Sequence, residues 1–352
     1  MRSIPEELRT KSVRKPSAER VKVRGAPRVN LRVFAEWRGN ESCAVSVIGI
    51  HRTLSSMPSP SASQTSERGR LLLVHAHPDD ESINNGATMA KYAHEGFDVA
   101  LVTCTRGEEG EILVPELTDA ASDKEDRLAE IRERELANAL AALGVVRHTF
   151  LGAPNELFRD SGMMGAPQNS RPDVFWNTDL AHAAQLLSEY ILEFKPHVLV
   201  TYDEFGGYGH PDHIQAHRVA MKAAELSAAL GWDIPKIYWN VMPRSVVQKG
   251  MDAMREIGSD FFGAESIDDL PFVKDDSFVH AVIDGNKYVE LKKDAMKAHR
   301  TQIAVDGPFF ALSNLLGMQV FGYEYYTRVK GASGSDLNEE GYERDLFSGI
   351  TL

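Results

Sequence analysis

Residues 71–81 read LLLVHAHPDDE, an apolar run followed at once by two histidines and three acidic residues. A short apolar run without alternation is typical of a strand that is buried on both faces of a parallel sheet. The polar residues begin where such a strand would end, and ligands of open parallel sheets bind beyond the carboxyl ends of the strands. The stretch therefore predicts a strand at Leu71–Val74 and a binding site directly after it.

A second stretch of the same kind lies at residues 208–213, where the sequence YGHPDH comes shortly after the apolar run VLV at 198–200. Each of the two stretches carries imidazoles and carboxylates at the end of a predicted strand. A catalytic metal ion with an open coordination position takes its ligands from such side chains. The pair of stretches therefore indicates a hydrolytic metalloenzyme.

Strand-like and helix-like patterns alternate from Arg70 onward. Alternation at this spacing is typical of βαβ units. We therefore expect an α/β fold with a Rossmann-like, mostly parallel and doubly wound sheet. Further strands are predicted at 99–104, 148–151, 198–202 and 236–239, and helices at 85–94, 124–143, 180–194 and 214–230.

The pattern changes after Met242 and predicts a smaller C-terminal lobe that begins at about residue 243. Aromatic residues are frequent at 308–317 and 321–326, and we expect these stretches to pack on the sheet and over the site. The predicted elements of the lobe are a helix at 245–257, a strand at 278–283 and a helix at 286–299.

The first 69 residues are predicted to be a disordered extension. Residues 1–70 contain fourteen Lys and Arg but six Asp and Glu, and the stretch 57–63 is rich in Ser and Pro. These features are typical of segments that do not join a packed core. A transit peptide and a nucleic-acid arm are the alternatives, but we favour a dispensable tail with Met57 as the true start. The catalytic domain with its lobe then covers 70–330, and a polar tail covers 331–352.

The bulk composition of the 352-residue chain excludes several classes of protein. A net charge of −12 argues against a nucleic-acid-binding protein, which would carry a basic field. No apolar run approaches the length of about 18 residues that a membrane span requires. With Cys43 and Cys104 as the only cysteines, we expect a cytoplasmic protein without a disulfide framework. The expected partner is a small molecule, and a homo-oligomer is compatible with the sequence.

Three residues of the two stretches are predicted to bind the metal ion: His77, Asp80 and His213. His77 and Asp80 lie three residues apart in a turn that leads into a helix, so both side chains can face one ion. Two histidines and one carboxylate, with one position left for water, are typical of catalytic zinc. The same ligands suit ferrous iron, so we expect Zn²⁺ with Fe²⁺ as the alternative. A lone histidine is more often a structural side chain, but that interpretation does not explain two clusters at two strand ends.

Neighbouring residues are predicted to support the chemistry. Asp79 is expected to be the general base that takes a proton from the attacking water, and the alternative is that it only holds a ligand histidine. Asp212 suits that structural role better. His210 is expected to act as a cation that stabilises an oxyanion or protonates a leaving amine. Tyr208 lies among glycines and is expected to swing toward the oxyanion, with simple packing as the alternative.

Two loops that follow predicted strands suit a ligand rich in hydroxyl groups. The loop at 105–111 reads TRGEEGE and the loop at 159–163 reads RDSGM. Acidic residues on loops with glycines are also typical of solvated surface loops, so this signal is weak by itself. No glycine-rich phosphate-binding pattern follows the first strand, and a nucleotide cofactor is therefore not expected.

The two histidine-containing stretches resemble those of the LmbE-like, PIG-L-type N-acetylglucosaminyl deacetylases, which are zinc hydrolases with a Rossmann-like fold. The resemblance covers residues 70–326 and is carried by HPDDE at 77–81 and HPDH at 210–213. It is strongest to the mycothiol-pathway subgroup, which removes acetate from N-acetylglucosaminyl-inositol. The stretches that resemble this subgroup are DESINNGAT at 80–88, CTRGEEGE at 104–111 and GGYGH at 206–210.

The resemblance implies roles for individual residues and a reaction. The reaction is metal-dependent hydrolysis of the acetamide of 1-D-myo-inosityl 2-acetamido-2-deoxy-glucopyranoside to glucosaminyl-inositol and acetate. The implied contacts of the sugar or the inositol are Arg132 and Asp160, and Glu111 on the loop at 105–111 is a further expected contact of the substrate. The implied catalytic groups are the zinc ligands His77, Asp80 and His213, the base Asp79, the electrostatic or acid partner His210 and the mobile oxyanion contact Tyr208.

Two other functions remain as alternatives. The first is a mycothiol S-conjugate amidase, which shares the metal site but tends to carry a lysine soon after the Asp-Glu-Ser stretch. This chain has Ile83, Asn84 and Asn85 there, which favours the deacetylase. The second is a sugar-binding module without catalysis, which should have lost Asp79 or a metal ligand, and neither is lost.

Overall fold

The computed structural model describes residues 68–256, 264–305 and 322–352 of the chain. The disordered extension predicted for residues 1–69 lies outside the described residues, apart from its last two positions. The aromatic stretch at 308–317 lies outside them as well.

Eight strands in the described residues build one sheet. Their order is β3-β2-β1-β4-β5-β8-β7, and the two-residue strand β6 pairs with β5. The first five strands in this order run parallel, and β8 runs antiparallel to both of its neighbours. The order confirms the predicted Rossmann-like, mostly parallel sheet. The strands are β1 (Arg70–His75), β2 (Asp98–Thr103), β3 (Arg147–Phe150), β4 (Val198–Thr201), β5 (Lys236–Pro243), β6 (Val273–Lys274), β7 (Ala281–Asp284) and β8 (Tyr323–Lys330).

Helices cover both faces of the sheet. α3 and α5 pack on one face, and α1, α2 and α7 pack on the other. Within the part of the chain that the structure describes, no helix combines the length and the apolar character needed to cross a membrane. The helices are α1 (Asp80–His94), α2 (Leu128–Leu143), α3 (Leu180–Phe194), the short turn α4 (Gly206–Gly209), α5 (Pro211–Ala229), α6 (Arg244–Glu256) and α7 (Val289–Ala298).

The central strand β1 is buried on both faces, as the apolar run predicts. Leu72 and Val74 join the core under α3 and α5, whereas Leu71 and Leu73 join the core under α1 and α2. All four side chains are fully buried. A strand with helices on both sides has no solvent-facing positions, so its sequence shows no alternation of polar and apolar residues.

Helix α1 begins at Asp80, five residues before the start that the apolar pattern predicted. Asp80 and Glu81 occupy its first turn. Carboxylates are stabilised there by the positive end of the helix dipole. Since the first turn is polar, the apolar periodicity becomes visible only later in the helix.

The order of the strands creates a crevice between β1 and β4. The chain proceeds from β1 to β2 and β3 on one side, and from β4 to β5 on the other side. Connections leave the neighbouring strands β1 and β4 in opposite directions, and a crevice opens beyond their carboxyl ends. Both histidine-containing stretches, 71–81 and 208–213, reach this edge of the sheet.

Residues after Met242 extend the central sheet as well as forming the predicted helices. Residues 323–326 of the aromatic stretch, which we expected to pack on the sheet and over the site, instead form the first half of β8, and Tyr326 is fully buried in the sheet. Glu324 in the same strand is also buried and pairs with Lys292 at 2.8 Å. This buried ion pair interrupts the apolar pattern, which explains why the sequence did not predict the strand.

Residues 331–352, which we expected to form a polar tail beyond the domain, pack into its core. Leu346 is fully buried in the core that α1 and α2 cover. Glu343 is also fully buried, and its carboxylate accepts hydrogen bonds at 2.7 Å from Lys236 Nζ and from Arg328 Nη1. The polar composition therefore conceals a packed segment, because its buried charge is compensated by cations from the sheet.

We expect Leu346→Ala to destabilise the protein by about 2–5 kcal/mol, the usual cost of removing a buried leucine side chain. Denaturant unfolding of the variant and the wild type would measure the difference. Leu352→Ala is the matched control, since Leu352 is 42% exposed and should matter little. Equal stability of Leu346→Ala and the control would mean that the C-terminal segment does not contribute to the core.

Candidate functional site

Two turns at the crevice carry the predicted site residues. The first continues β1 into α1, and its last residue, Asp79, has a φ of 125° and a ψ of −32°. Residues other than glycine rarely adopt such a conformation, which persists only where surrounding contacts maintain it. The second turn is α4, which leads from β4 toward α5. Positive φ angles at all three glycines of α4 let the backbone fold tightly beside the site.

The structure brings His77, Asp80 and His213 together. His77 Nδ1 lies 3.5 Å from Asp80 Oδ2, and His213 Nε2 lies 3.3 Å from His77 Nδ1 and 3.4 Å from Asp80 Oδ1. All three residues are buried. Two imidazole nitrogens and a carboxylate that converge in this way have the donor chemistry of a three-ligand zinc site.

The outer nitrogen of each of these imidazoles has its own hydrogen-bond partner. His77 Nε2 lies 3.2 Å from Asp212 Oδ2, and His213 Nδ1 lies 3.2 Å from the carbonyl oxygen of Gly206. A proton on each outer nitrogen leaves the inner nitrogen with a lone pair toward the cluster. Partners of this kind fix the tautomer and the orientation of metal-binding histidines.

The charges of the cluster favour a cation at its centre. Burial acts to raise the pKa of Asp80, but His213 and His77 outweigh it and hold this pKa well below its usual range. Burial likewise acts against protonation of His77, but Asp160, Asp212 and Asp80 raise its pKa well above the ordinary value. The surrounding carboxylates therefore attract positive charge, and a metal ion would replace the proton.

His210 lies beside this cluster but differs from the prediction in its charge. Burial, together with the imidazoles of His77 and His213, lowers the pKa of His210 to about 2. His210 Nδ1 accepts the backbone N–H of Asp212 at 3.1 Å and so caps α5. The proton of the neutral ring must then sit on Nε2. The expected cation is thus replaced by a neutral donor.

A nitrogen of His210 also lies within 4.8 Å of nitrogens of His77 and His213, so these three histidines form a second set that could hold a metal ion. We favour the set with Asp80 for two reasons. Its ligand atoms approach one another to 3.3–3.5 Å. A carboxylate also compensates part of the charge of a divalent cation, which three neutral imidazoles do not.

Asp79 lies at the edge of the cluster and keeps a partly exposed carboxylate. Burial raises the pKa of Asp79 to about 6, an effect that Arg132 opposes and Asp80 reinforces. A carboxylate with a raised pKa is a better proton acceptor near neutral pH. These surroundings suit a general base.

Arg132, which the resemblance implied as a contact of the substrate, is occupied inside the protein. Its Nη2 lies 3.1 Å from Asp79 Oδ2 and also donates to the carbonyl oxygen of Pro78, and its Nη1 donates to the carbonyl oxygen of Gly107 at 2.9 Å. The side chain is 3% exposed. The structure therefore places the guanidinium behind Asp79, where it holds that carboxylate and the peptide before it.

The other predicted residues lie at different distances from the cluster. Asp160 Oδ1 lies 3.6 Å from His77 Nε2, whereas Glu111 is exposed on the loop after β2. No contact between the Glu111 carboxylate and the cluster is found among the described residues. The ring of Tyr208 lies 5.0 Å from the ring of His213, and the residue is 42% exposed. The structure thus brings Asp160 and Tyr208 to the site but not Glu111.

The structure also reveals a pair that the sequence did not predict. Glu81 Oε1 accepts a hydrogen bond from His299 Nε2 at 2.7 Å, and Glu81 Oε2 accepts the N–H of Asp79 at 2.9 Å. Both Glu81 and His299 are fully buried. The pair helps to maintain the strained backbone of Asp79. Glu81 was visible in the first stretch, but nothing in the sequence linked it to a histidine 218 residues away.

Residues 72–224 match the family described as PIG-L: GlcNAc-PI de-N-acetylase. The chain is 56% identical over 306 residues to 1D-myo-inositol 2-acetamido-2-deoxy-alpha-D-glucopyranoside deacetylase 1 of Catenulispora acidiphila, with 84% of this chain and 93% of that protein aligned. It is 54% identical over 288 residues to 1D-myo-inositol 2-acetamido-2-deoxy-alpha-D-glucopyranoside deacetylase of Streptomyces griseus, with 80% and 89% aligned. The solved structure of N,N'-diacetylchitobiose deacetylase from Pyrococcus horikoshii aligns with a TM-score of 0.48 and 20% identity, over 74% of this chain and 84% of that one.

Proposed function

Because the chain belongs to the family of the 1D-myo-inositol 2-acetamido-2-deoxy-alpha-D-glucopyranoside deacetylases, we propose that it hydrolyses the acetamide of this compound. The products are glucosaminyl-inositol and acetate, and the pathway that the resemblance implies is mycothiol biosynthesis. The observation that carries the proposal is the convergence of His77, Asp80 and His213, with Asp79 as the residue before Asp80 in the chain.

We propose that His77, Asp80 and His213 hold one Zn²⁺, with Fe²⁺ as the alternative. The oriented imidazoles and the ionised carboxylate described above support this ligand set. When bound, the ion polarises the acetamide carbonyl and lowers the pKa of water in the site. Asp212 orients His77 through their hydrogen bond, so the ligand is held before the ion arrives.

Asp79 is the proposed general base. It accepts the proton of the attacking water and can return it to the leaving amine. Arg132 holds its carboxylate and Glu81 holds its N–H, so the base has one fixed position. Such fixation matters because proton transfer requires the two heavy atoms to lie within hydrogen-bond distance.

His210 and Tyr208 are the proposed donors to the acetamide oxygen. Negative charge develops on this oxygen when water adds to the carbonyl, and fixed donors stabilise it. His210 Nε2–H is such a donor, since His210 Nδ1 is occupied by the N–H of Asp212. Tyr208 lies on the glycine-rich turn, and partial burial of its side chain raises the pKa of its hydroxyl, which therefore stays protonated.

We expect His210→Ala to lower kcat/KM by about 10²–10³-fold, the usual effect of removing one oxyanion donor. The metal content should stay at the wild-type value, because His210 is not a proposed ligand. The basic limb of the pH profile should also stay in place, because a neutral histidine does not lose a proton in this range. Measurement of kcat/KM against pH for the wild type and for His210→Ala tests this expectation. A basic limb that is displaced in the variant would show that His210 acts as a cation.

The substrate contacts are proposed from the positions of the loops at the crevice. Asp160 lies beside His77, and we propose that its carboxylate faces the sugar. Glu111 lies on the loop after β2, at the same edge of the sheet, and is proposed to reach the inositol. Arg132 is proposed to act through Asp79 rather than on the substrate, because its guanidinium is buried.

A direct assay separates the proposed reaction from the alternatives. The purified protein is incubated with N-acetylglucosaminyl-inositol or with a mycothiol S-conjugate, and the release of free amine per enzyme is compared. We expect faster release from the first compound. Faster release from the conjugate would identify an amidase, and no release from either, by protein that contains metal, would identify a binding module.

A further inference from the structure

The peptide group between Gly206 and Gly207 connects a proposed metal ligand with a carboxylate outside the site. Its carbonyl oxygen faces His213 Nδ1 at 3.2 Å. Its N–H, which belongs to Gly207, donates to Asp203 Oδ1 at 2.8 Å. One amide group thus accepts a hydrogen bond from the imidazole on one side and donates a hydrogen bond to a carboxylate on the other side.

The carboxylate of Asp203 is in turn held by a lysine from a distant part of the chain. Asp203 Oδ2 lies 3.0 Å from the ammonium of Lys274, which belongs to β6. The side chain of Asp203 is 12% exposed and that of Lys274 is 30% exposed. The same ammonium lies 5.7 Å from the ring centroid of Phe205, the residue before the turn α4.

Glycine is required at position 206 for this arrangement. Gly206 has a φ of +66°, and a Cβ atom there would lie 2.7 Å from the Cβ of His213. The peptide can therefore approach the imidazole only because position 206 has no side chain. Since the turn is adapted to this close approach, the hydrogen bond from His213 is a built feature of the site.

We propose that Asp203 and Lys274 position His213 for metal binding through the peptide group between Gly206 and Gly207. The inference rests on the metal site of the proposed function. A carboxylate that accepts the N–H of an amide polarises the group and makes its carbonyl a stronger acceptor. A stronger acceptor at Nδ1–H fixes the tautomer of the imidazole and increases the basicity of Nε2, which faces His77 and Asp80. Lys274 neutralises and orients the carboxylate.

The test is the metal affinity of the purified full chain, measured by competition between the protein and a chromophoric zinc chelator. We expect Asp203→Ala to weaken zinc binding by about 10–100-fold, the usual effect of removing an outer partner of a metal ligand. Asp203→Asn should retain most of the affinity, because its amide oxygen can still accept the N–H of Gly207. Absorption spectra of the cobalt-loaded proteins should differ from wild type for Asp203→Ala and much less for Asp203→Asn.

Lys274→Met tests whether the lysine acts through Asp203. It should weaken zinc binding less than Asp203→Ala does, and it should have no further effect in the Asp203→Ala background. Lys222→Met is the matched control, since Lys222 pairs with Glu225 at 2.9 Å on an exposed helix face and should leave the affinity unchanged. A full additional loss in the double variant would show that Lys274 acts independently of Asp203.

The outcomes separate this inference from the proposed function. Wild-type protein that binds no zinc would overturn the metal site itself. Wild-type zinc binding with unchanged affinity in folded Asp203→Ala would overturn only the inference. If Asp203→Ala does not fold, Lys274→Met becomes the test. Wild-type zinc affinity and an unchanged cobalt spectrum in Lys274→Met would then overturn the inference.

Discussion

His213→Ala is expected to remove both the metal ion and the turnover of the enzyme. The variant keeps His77 and Asp80, but two ligands hold zinc far more weakly than three. His213 also accounts for two of the three short distances within the cluster, 3.3 Å to His77 and 3.4 Å to Asp80. Elemental analysis after dialysis should therefore find wild-type protein with about one ion per chain and the variant with almost none.

His182→Ala is the matched control for this experiment. His182 pairs with Glu156 at 2.6 Å, and half of its side chain is exposed, so its loss should change neither the metal content nor the turnover. A His213→Ala protein that retains a full complement of metal would disprove the ligand assignment. In that case the set of His77, Asp160, His210 and Asp212, whose ligand atoms lie within 4.8 Å of one another, becomes the site to examine.

Asp79→Asn is expected to lower kcat by about 10²–10⁴-fold while the metal ion stays bound, because the variant has lost its general base. The asparagine keeps the shape of the side chain and an oxygen that can accept the hydrogen bond from Arg132. It cannot take a proton from water. The loss therefore reports proton transfer rather than a collapse of the strained turn.

The pH profile gives a second measurement of the same role. In the wild type kcat/KM should rise as the pH increases through the pKa of Asp79, because the base must be ionised. The Asp79→Asn variant should lose this acidic limb. Asp119→Asn, at an exposed carboxylate, serves as the control. Near-normal turnover of Asp79→Asn with metal bound would reduce Asp79 to a structural residue.

The sequence predicts the parallel half of the sheet well, for a physical reason. β1 and β4 are covered by helices on both faces, so each appears as an uninterrupted apolar run. The antiparallel strand β8 was missed, because its buried residues include Glu324, whose charge is compensated by Lys292. Polar residues that are satisfied inside the protein cannot be distinguished in sequence from polar residues on its surface.

In the candidate site, too, some contacts could be predicted from the sequence and others could not. His77, Asp80 and His213 were predicted to meet because parallel strands end at the same edge of a sheet, and the described structure has them within 3.5 Å. Contacts with residues outside the two histidine-containing stretches, and the degree of burial of each side chain, could not be predicted. The bond of His299 to Glu81 depends on where α7 packs, and the neutral state of His210 depends on its burial.

The place of β8 in the sheet has a consequence for biosynthesis. β8 is the last strand in the chain, yet it lies between β5 and β7, which are both made before it. The chain leaves the ribosome N-terminus first, and the domain can complete its fold only when all of its strands have been made. Until Tyr323–Lys330 has emerged, the stretch Ile237–Val241 of β5 presents an open edge, and β7 lacks its only paired strand among the described residues. Open edges pair readily with other chains. A nascent or prematurely terminated chain that lacks β8 should therefore be prone to aggregation and should depend on chaperones, whereas the full-length chain closes its own sheet.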